Sequence, residues 1–227
     1  MPLNQSLLSL VIQRLDYDNI KYKSIILHGS QCEKFASEYS DYDYVVISDK
    51  TDRDMDVFIG SKQEKIQIEF LSEDDLECLL ARYEAELFMR ILDTNMLAGR
   101  ILSGSEVFSN HSVLPLINRY RCYKMKSKLI EKFVRQAAGF KLDSLSDDSL
   151  LSTYSTQNLF LSLGIAYLIS KEHFWLAPKW QHHFVLRYLT EEDYEEYIFC
   201  RKNPDGDRQR LEGFAKRLVN LINMGIS

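Results

Sequence analysis

The 227-residue chain has only four cysteines, Cys32, Cys78, Cys122 and Cys200, and no two of them form a C-x-x-C pair. That scatter excludes a zinc ribbon and a disulfide scaffold and suits a reducing compartment, so the cytoplasm is the expected location. Long apolar runs are missing too. The most apolar stretch, "LFLSLGIAYLIS" from Leu159 to Ser170, is shorter than the roughly 18 residues a membrane span needs, so no membrane partner is expected. Residues 1–13 are apolar but have no basic leader or small-residue cleavage site, and they read as a helix rather than a secretory signal. No internal repeat or low-complexity tract is found. What remains, 45% hydrophobic, is globular and able to bury a sizeable core in one large domain or two small ones.

Net charge is −5, but it is unevenly spread: residues 1–108 carry 11 Lys and Arg against 20 Asp and Glu, and residues 109–227 carry 17 against 13. An acidic half and a basic half suit a metal-binding region closing on a phosphate-binding one. A solvated surface gives the same pattern.

Hydrophobic periodicity then divides the chain. Leu7, Leu8, Val11, Ile12 and Leu15 fall at helical spacing, "KSIILHGS" reads as a buried strand entering a glycine turn, and "YDYVVIS" as a second strand. "DVFIGSKQEKIQIEFLS" predicts a hairpin turning at Gly60 to Glu64, with Ile66, Ile68 and Phe70 on one face and Gln67 and Glu69 on the other. Ser72 is the expected N-cap of a helix reaching about Leu92, and "RILSGSEVF" is expected to be a short strand and turn. From Pro115 onward only helices are expected, including one continuous helix over "INRYRCYKMKSKLIEKFVRQAAGF". The prediction is an α+β fold: a small mixed-sheet domain over residues 1–110, then an all-helical, bundle-like domain over 111–227.

The chemistry concentrates in "HGSQCEKFASEYSDYDYVV", His28 to Val46. Alternate residues of a strand share a face, so Asp41 and Asp43 project together. Paired carboxylates are costly unless a proton or cation neutralises them, and hard divalent ions with oxygen ligands do so. Glu69, on the polar face of a strand expected in the same sheet, would complete a site for two ions suited to phosphoryl or nucleotidyl transfer. Gly29 permits a tight turn and close ligand approach, and the Ser30 hydroxyl and nearby backbone amides can hold phosphate oxygens. Asp54 and Asp56 also alternate but have no Gly-Ser partner, and read as surface.

The run "LHGSQCEKFASEYSDYDYVVI", an apolar strand, Gly-Ser, ten residues and Asp-x-Asp on the next strand, resembles the signature of the DNA polymerase beta-like nucleotidyltransferase superfamily. "KIQIEFLS" is similar to its third-acid strand. The resemblance covers about residues 20–110. It implies Asp41, Asp43 and Glu69 as ligands of two Mg²⁺ ions, with Mn²⁺ as an alternative, and Gly29 and Ser30 as contacts to the β and γ phosphates of a nucleoside triphosphate. Glu where Asp is commoner at the third position leaves Glu69 as ligand, general base or both. The helical second half is similar in layout to the antibiotic-modifying branch.

That second half offers candidates of its own. Arg119 to Lys141 holds eight basic residues and one acid, and on a single helix Arg121, Lys124, Lys128 and Arg135 share a flank opposite Cys122, Met125, Leu129, Phe133 and Ala137. In the resembling enzymes the helix after the core often lends a basic residue to the triphosphate, a role for Lys124 or Lys128. In "FWLAPKWQHHF" a helix starting at Pro178 would let Lys179 and Trp180 line a substrate cleft, although tryptophan as a core anchor reads equally well. His182 and His183 lack ligand-spaced partners, and the acids of "EEDYEEY" read as a solvated helix start. The reaction expected is transfer of a nucleoside monophosphate to a small-molecule hydroxyl, with nucleic acid not expected as acceptor and the oligomeric state left open. Two alternatives stand beside it: an antitoxin-type nucleotidyltransferase acting on a partner protein or RNA end, and a non-enzymatic nucleotide sensor. The Arg-x4–6-His signature of RNases often encoded with such antitoxins is absent.

Overall fold

The computed structural model describes residues 5–36, 40–49, 55–59, 64–89 and 96–225. The chain is α+β and divides into two compact units, Met1–Tyr83 with Leu97–Arg121, and Glu84–Met96 with Cys122–Ser227. In the first, helix α1 (Gln5–Tyr17) precedes strand β1 (Tyr22–His28), which runs directly into a single helical turn, α2 (Gly29–Cys32). Strands β2 (Tyr42–Ser48), β3 (Met55–Ile59) and β4 (Glu64–Leu71) follow, then α3 (Glu73–Met89), α4 (Leu97–Leu102), β5 (Ser105–Ser109) and α5 (Leu114–Arg119). The sheet order is β3-β4-β2-β1-β5. β2 and β4 are parallel and the other pairs antiparallel, so the sheet is mixed.

Strand alternation sorts the sheet into two faces. Ile25 and Leu27 of β1, Tyr44 and Val46 of β2, and Ile66, Ile68 and Phe70 of β4 form one, packed with Leu7, Val11 and Leu15 of α1 into a continuous core. Leu15, Ile25, Val46, Ile66 and Ile68 are fully buried. The opposite face carries Ile26, His28, Asp43, Val45, Ile47, Gln67 and Glu69, and the candidate chemistry lies there.

Local chemistry fixes the element ends. Ser72 caps α3 reciprocally: the Asp75 amide donates to Ser72 Oγ at 3.0 Å, while Ser72 Oγ and its amide donate to Asp75 Oδ2 at 2.6 and 3.3 Å. At the β5 edge Glu106 accepts from Ser24 Oγ and Ser112 Oγ, both at 2.6 Å, and from the Val113 amide at 3.0 Å.

The second unit contains α6 (Lys126–Asp143), α7 (Ser149–Ser170), α8 (Gln181–Leu186), α9 (Glu191–Lys202) and α10 (Arg208–Met224). α7 is its buried centre, with Phe160, Ile165, Ala166, Leu168 and Ile169 almost wholly enclosed. There the Gln181 side chain donates to Leu161 O at 2.8 Å and accepts from Tyr197 Oη and Arg201 Nη1, both at 2.7 Å. No helix among the described residues is long and apolar enough to cross a membrane.

Three expected elements differ. Arg100 to Leu102 belong to α4, not to a strand, because Ala98, Ile101 and Leu102 bury together at helical spacing and β5 begins only at Ser105. The continuous helix expected over residues 117–140 is broken between α5 and α6. Arg121 donates to Leu102 O at 3.1 Å and to Gly104 O at 3.0 Å, and Tyr123 Oη donates to His173 O at 2.7 Å, so distant carbonyls hold this segment out of the helix. α8 starts at Gln181 rather than Pro178, leaving Lys179 and Trp180 in the preceding turn. Asp54 and most of the hairpin turn lie outside the described residues.

Candidate functional site

β1 ends where the chain must reverse against β2, and glycine is required there. Gly29 has φ 74°, in the region L side chains rarely adopt. His28 pairs directly with Asp43 in the antiparallel register, so their side chains share a face. A Cβ on Gly29 would collide with Asp43 Oδ2 and lie 3.4 Å from Arg100 Nη2. Residues apart in sequence, Gly29 and Asp43, are thus in immediate contact, with Ser30 buried beside them.

The parallel register extends this site across β4. Asp43 pairs with Gln67, and Val45 with Glu69. One row of the face therefore reads His28, Asp43, Gln67, and Glu69 stands on the same face one row further along both parallel strands. Asp41 sits just before β2, half-buried. Glu69 is thus on the neighbouring strand, as expected, and Gln67 is the residue directly beside Asp43.

A residue missed in the sequence completes the cluster. Arg100 Nη2 meets Asp43 Oδ2 at 2.8 Å, and both side chains are largely enclosed, at 11% and 17% exposure. α4 can hold it there because Ala98, Ile101 and Leu102 anchor the helix in the core. Burial pushes the Asp43 carboxyl above the ordinary carboxylate range and the Asp41 charge adds to the rise, while Arg100 and Lys65 pull it back part of the way. His28 is 1% exposed and neither ring nitrogen has a hydrogen-bond partner. Burial, reinforced by the Arg100 charge, holds its pKa well below the usual imidazole value, so the ring is neutral.

Among the described residues no three His, Cys, Asp or Glu side chains converge as a metal-binding group. The donor chemistry nevertheless fits a divalent cation. Asp43 is an enclosed carboxylate that needs a neutralising charge, Asp41 is close enough to raise its pKa, and the bare Cα of Gly29 leaves a cradle that a methyl would fill. The guanidinium of Arg100 already sits in that cradle as a cation.

The other expected site residues belong to the second unit. Lys124 lies in the turn before α6, and Lys128 is in its first turn; both are exposed but do not share a helix flank. Of the expected buried stripe, Leu129, Phe133 and Ala137 are buried, with Ile130 beside them, while Cys122 is exposed. Lys132, in the same basic stretch, caps α3 by donating to Phe88 O at 2.9 Å and to Leu87 O. Lys179 is exposed with Nζ 4.7 Å from the centre of the half-buried Trp180 ring, which also packs 5.6 Å from His183. The core anchor in this stretch is Trp175. The acids Glu191, Glu192 and Asp193 form the first turn of α9 behind a Thr190 cap, as a helix start does. Asp193 is itself buried, 2.8 Å from Arg217 Nε. A cavity of about 350 Å³ in this unit is lined by hydroxyls and by charges of both signs, among them Lys141, Asp205, Arg208 and Glu212.

No protein-family model matches the chain, and no curated protein matches it.

Proposed function

We propose that this protein is a metal-dependent nucleotidyltransferase that moves a nucleoside monophosphate from a nucleoside triphosphate to a hydroxyl or similar group of a small-molecule acceptor, releasing pyrophosphate. The observation that carries this reading is the contact of the positive-φ Gly29 with the Asp43 carboxylate. It puts a backbone turn that can admit phosphates against the acid pair that can hold their counter-ions.

Asp41, Asp43 and Glu69 would hold two Mg²⁺ ions, which neutralise phosphate charge and sharpen the attacking hydroxyl. The Ser30 hydroxyl and the Gly29–Ser30 backbone hold the β and γ phosphates in this reading, since the missing side chain of Gly29 allows close approach. The acceptor oxygen bonds to the α-phosphorus as the bond from that phosphorus to the bridging oxygen breaks, and pyrophosphate leaves with the electron pair. Glu69, one row along the same face, takes the proton from the attacking hydroxyl. Lys124 or Lys128 is assigned to the triphosphate and Lys179 and Trp180 to the acceptor, on their residue chemistry alone. Most of the rate comes from positioning and electrostatic stabilisation.

Pyrophosphate release measured over the four nucleoside triphosphates and a panel of hydroxyl acceptors tests the assignment. Asp43→Asn should abolish release while circular dichroism stays unchanged. Turnover by that variant at the wild-type rate would sink the reading.

A further inference from the structure

His28 is the unusual member of the cluster. It ends a strand just after the apolar run Ile25 to Leu27, its ring is almost completely enclosed, and neither nitrogen is partnered. Buried polar groups are normally satisfied, so an orphaned imidazole marks a place where a partner is absent. Its neighbours show what kind of partner fits. Asp43, its cross-strand pair, reaches over so far that Oδ2 abuts Gly29, the residue next to His28. The Arg100 head group lies 2.8 Å from that oxygen, and its charge is felt by the His28 ring. A guanidinium can only donate hydrogen bonds and a carboxylate can only accept them. In this arrangement the Arg100 guanidinium donates to Asp43, and neither nitrogen of the His28 ring takes part. A metal ion in the place of that head group would use both the carboxylate and the imidazole.

We propose that His28 supplies a nitrogen ligand to the cation held by Asp43, with Arg100 as its displaceable stand-in, so that the site takes a transition ion such as Mn²⁺ or Co²⁺ in preference to Mg²⁺. This rests on the nucleotidyltransferase reading and sharpens it, because a nitrogen ligand adds to the preference for transition ions that carboxylates alone give. Imidazole is a better ligand for transition ions than for Mg²⁺, which keeps oxygen donors and water. For the ion to enter, the Arg100 side chain leaves Asp43, while α4 stays anchored by Ala98, Ile101 and Leu102.

The test is binding of Mn²⁺ to the full-length protein, read by electron paramagnetic resonance, with Mg²⁺ as competitor and a non-hydrolysable triphosphate present. The expected results are Mn²⁺ held at least about tenfold more tightly than Mg²⁺ and a directly bonded nitrogen coupling that changes when isotope-labelled histidine is incorporated. His28→Leu should lose the coupling and most of the preference, and Asp43→Asn should lose the ion. The labelling experiment on wild-type protein shows whether any of the five histidines is bound, and His28→Gln, a polar replacement of similar reach, assigns the coupling to His28 where His28→Leu fails to fold. Mn²⁺ bound through Asp43 with no histidine coupling overturns the role of His28 and leaves the transferase reading standing. Wild-type protein that binds neither ion overturns both.

Discussion

Replacing Gly29 by alanine adds one carbon where the Asp43 carboxylate lies, on backbone held at φ 74°. The left-handed conformation alone should cost about 1–2 kcal/mol, a modest loss in a denaturant titration. The functional loss should be larger, because the methyl group must push the Asp43 carboxylate out of its place. Divalent-ion and nucleotide affinity should therefore fall well beyond what the stability change accounts for. If calorimetry gave Gly29→Ala wild-type affinity, the glycine would be a turn residue only. Gly29, Asp41 and Asp43 could be recognised in the sequence because spacing and residue type suffice. Arg100 could not, since its pairing with Asp43 depends on where α4 is set against the sheet. His28 passed unnoticed as the last letter of an apolar strand, and only burial without partners reveals it.

Among the elements, those defined by their own periodicity were legible: α1, β1, β2, the β3–β4 pair, α7 and α10. α4 and the break between α5 and α6 were not. The run from Tyr120 to Met125 has no proline or glycine, and its exit from the helix depends on Arg121 and Tyr123 reaching carbonyls far away in sequence. Caps are the local counterpart, and Ser72 gives a clean test. Ser72→Ala removes the hydroxyl that accepts from the Asp75 amide and donates to Asp75 Oδ2, leaving only the bond from its own amide, and should cost about 1 kcal/mol, measured by urea unfolding. An unchanged midpoint would mean that packing alone fixes the start of α3. In α7, Gly164 is held for space rather than for backbone freedom. A Cβ there would lie 2.5 Å from Tyr197 Oη and 2.7 Å from Gln181 Nε2. Gly164→Ala should break the buried Gln181, Tyr197 and Arg201 network and destabilise the protein by about 1–3 kcal/mol. Thermal unfolding at or above the wild-type midpoint would refute that.

For the whole molecule, each of the two units has its own buried centre, and acid should act on both. In the second, burial and the nearby Arg187 charge push His173 from its ordinary 6.5 down to about 3. The unfolded chain takes up that proton first, so the stability held by the neutral ring is complete above about pH 6.5 and is lost progressively as pH falls toward 3. The slope from this one group should approach about 1.4 kcal/mol per pH unit. Unfolding midpoints recorded between about pH 7 and pH 5 should fall steadily, and less so in His173→Leu. Equal slopes in the two proteins would show that another group governs acid sensitivity. Glu106 has the same sign: burial alone would raise its carboxyl, but the bonds from Ser112, Ser24 and the Val113 amide outweigh that and lower it, so protonation in acid loosens the β5 edge.

The β5 edge has a counterpart in the order of assembly. Pairing of β1 with β5 joins Ser24 to Ser109, whereas pairing of β1 with β2 joins His28 to Asp43 across a much shorter stretch of chain. Short-range pairings form with less loss of chain entropy and precede distant ones. The two strands that bring glycine and acid together can therefore close first, with Arg100 arriving later on a segment still being fitted. Amide exchange should follow the reverse path. β5 frays before the β1–β2 pair opens, and the protein can lose its guanidinium partner while the acid and the glycine turn remain in register.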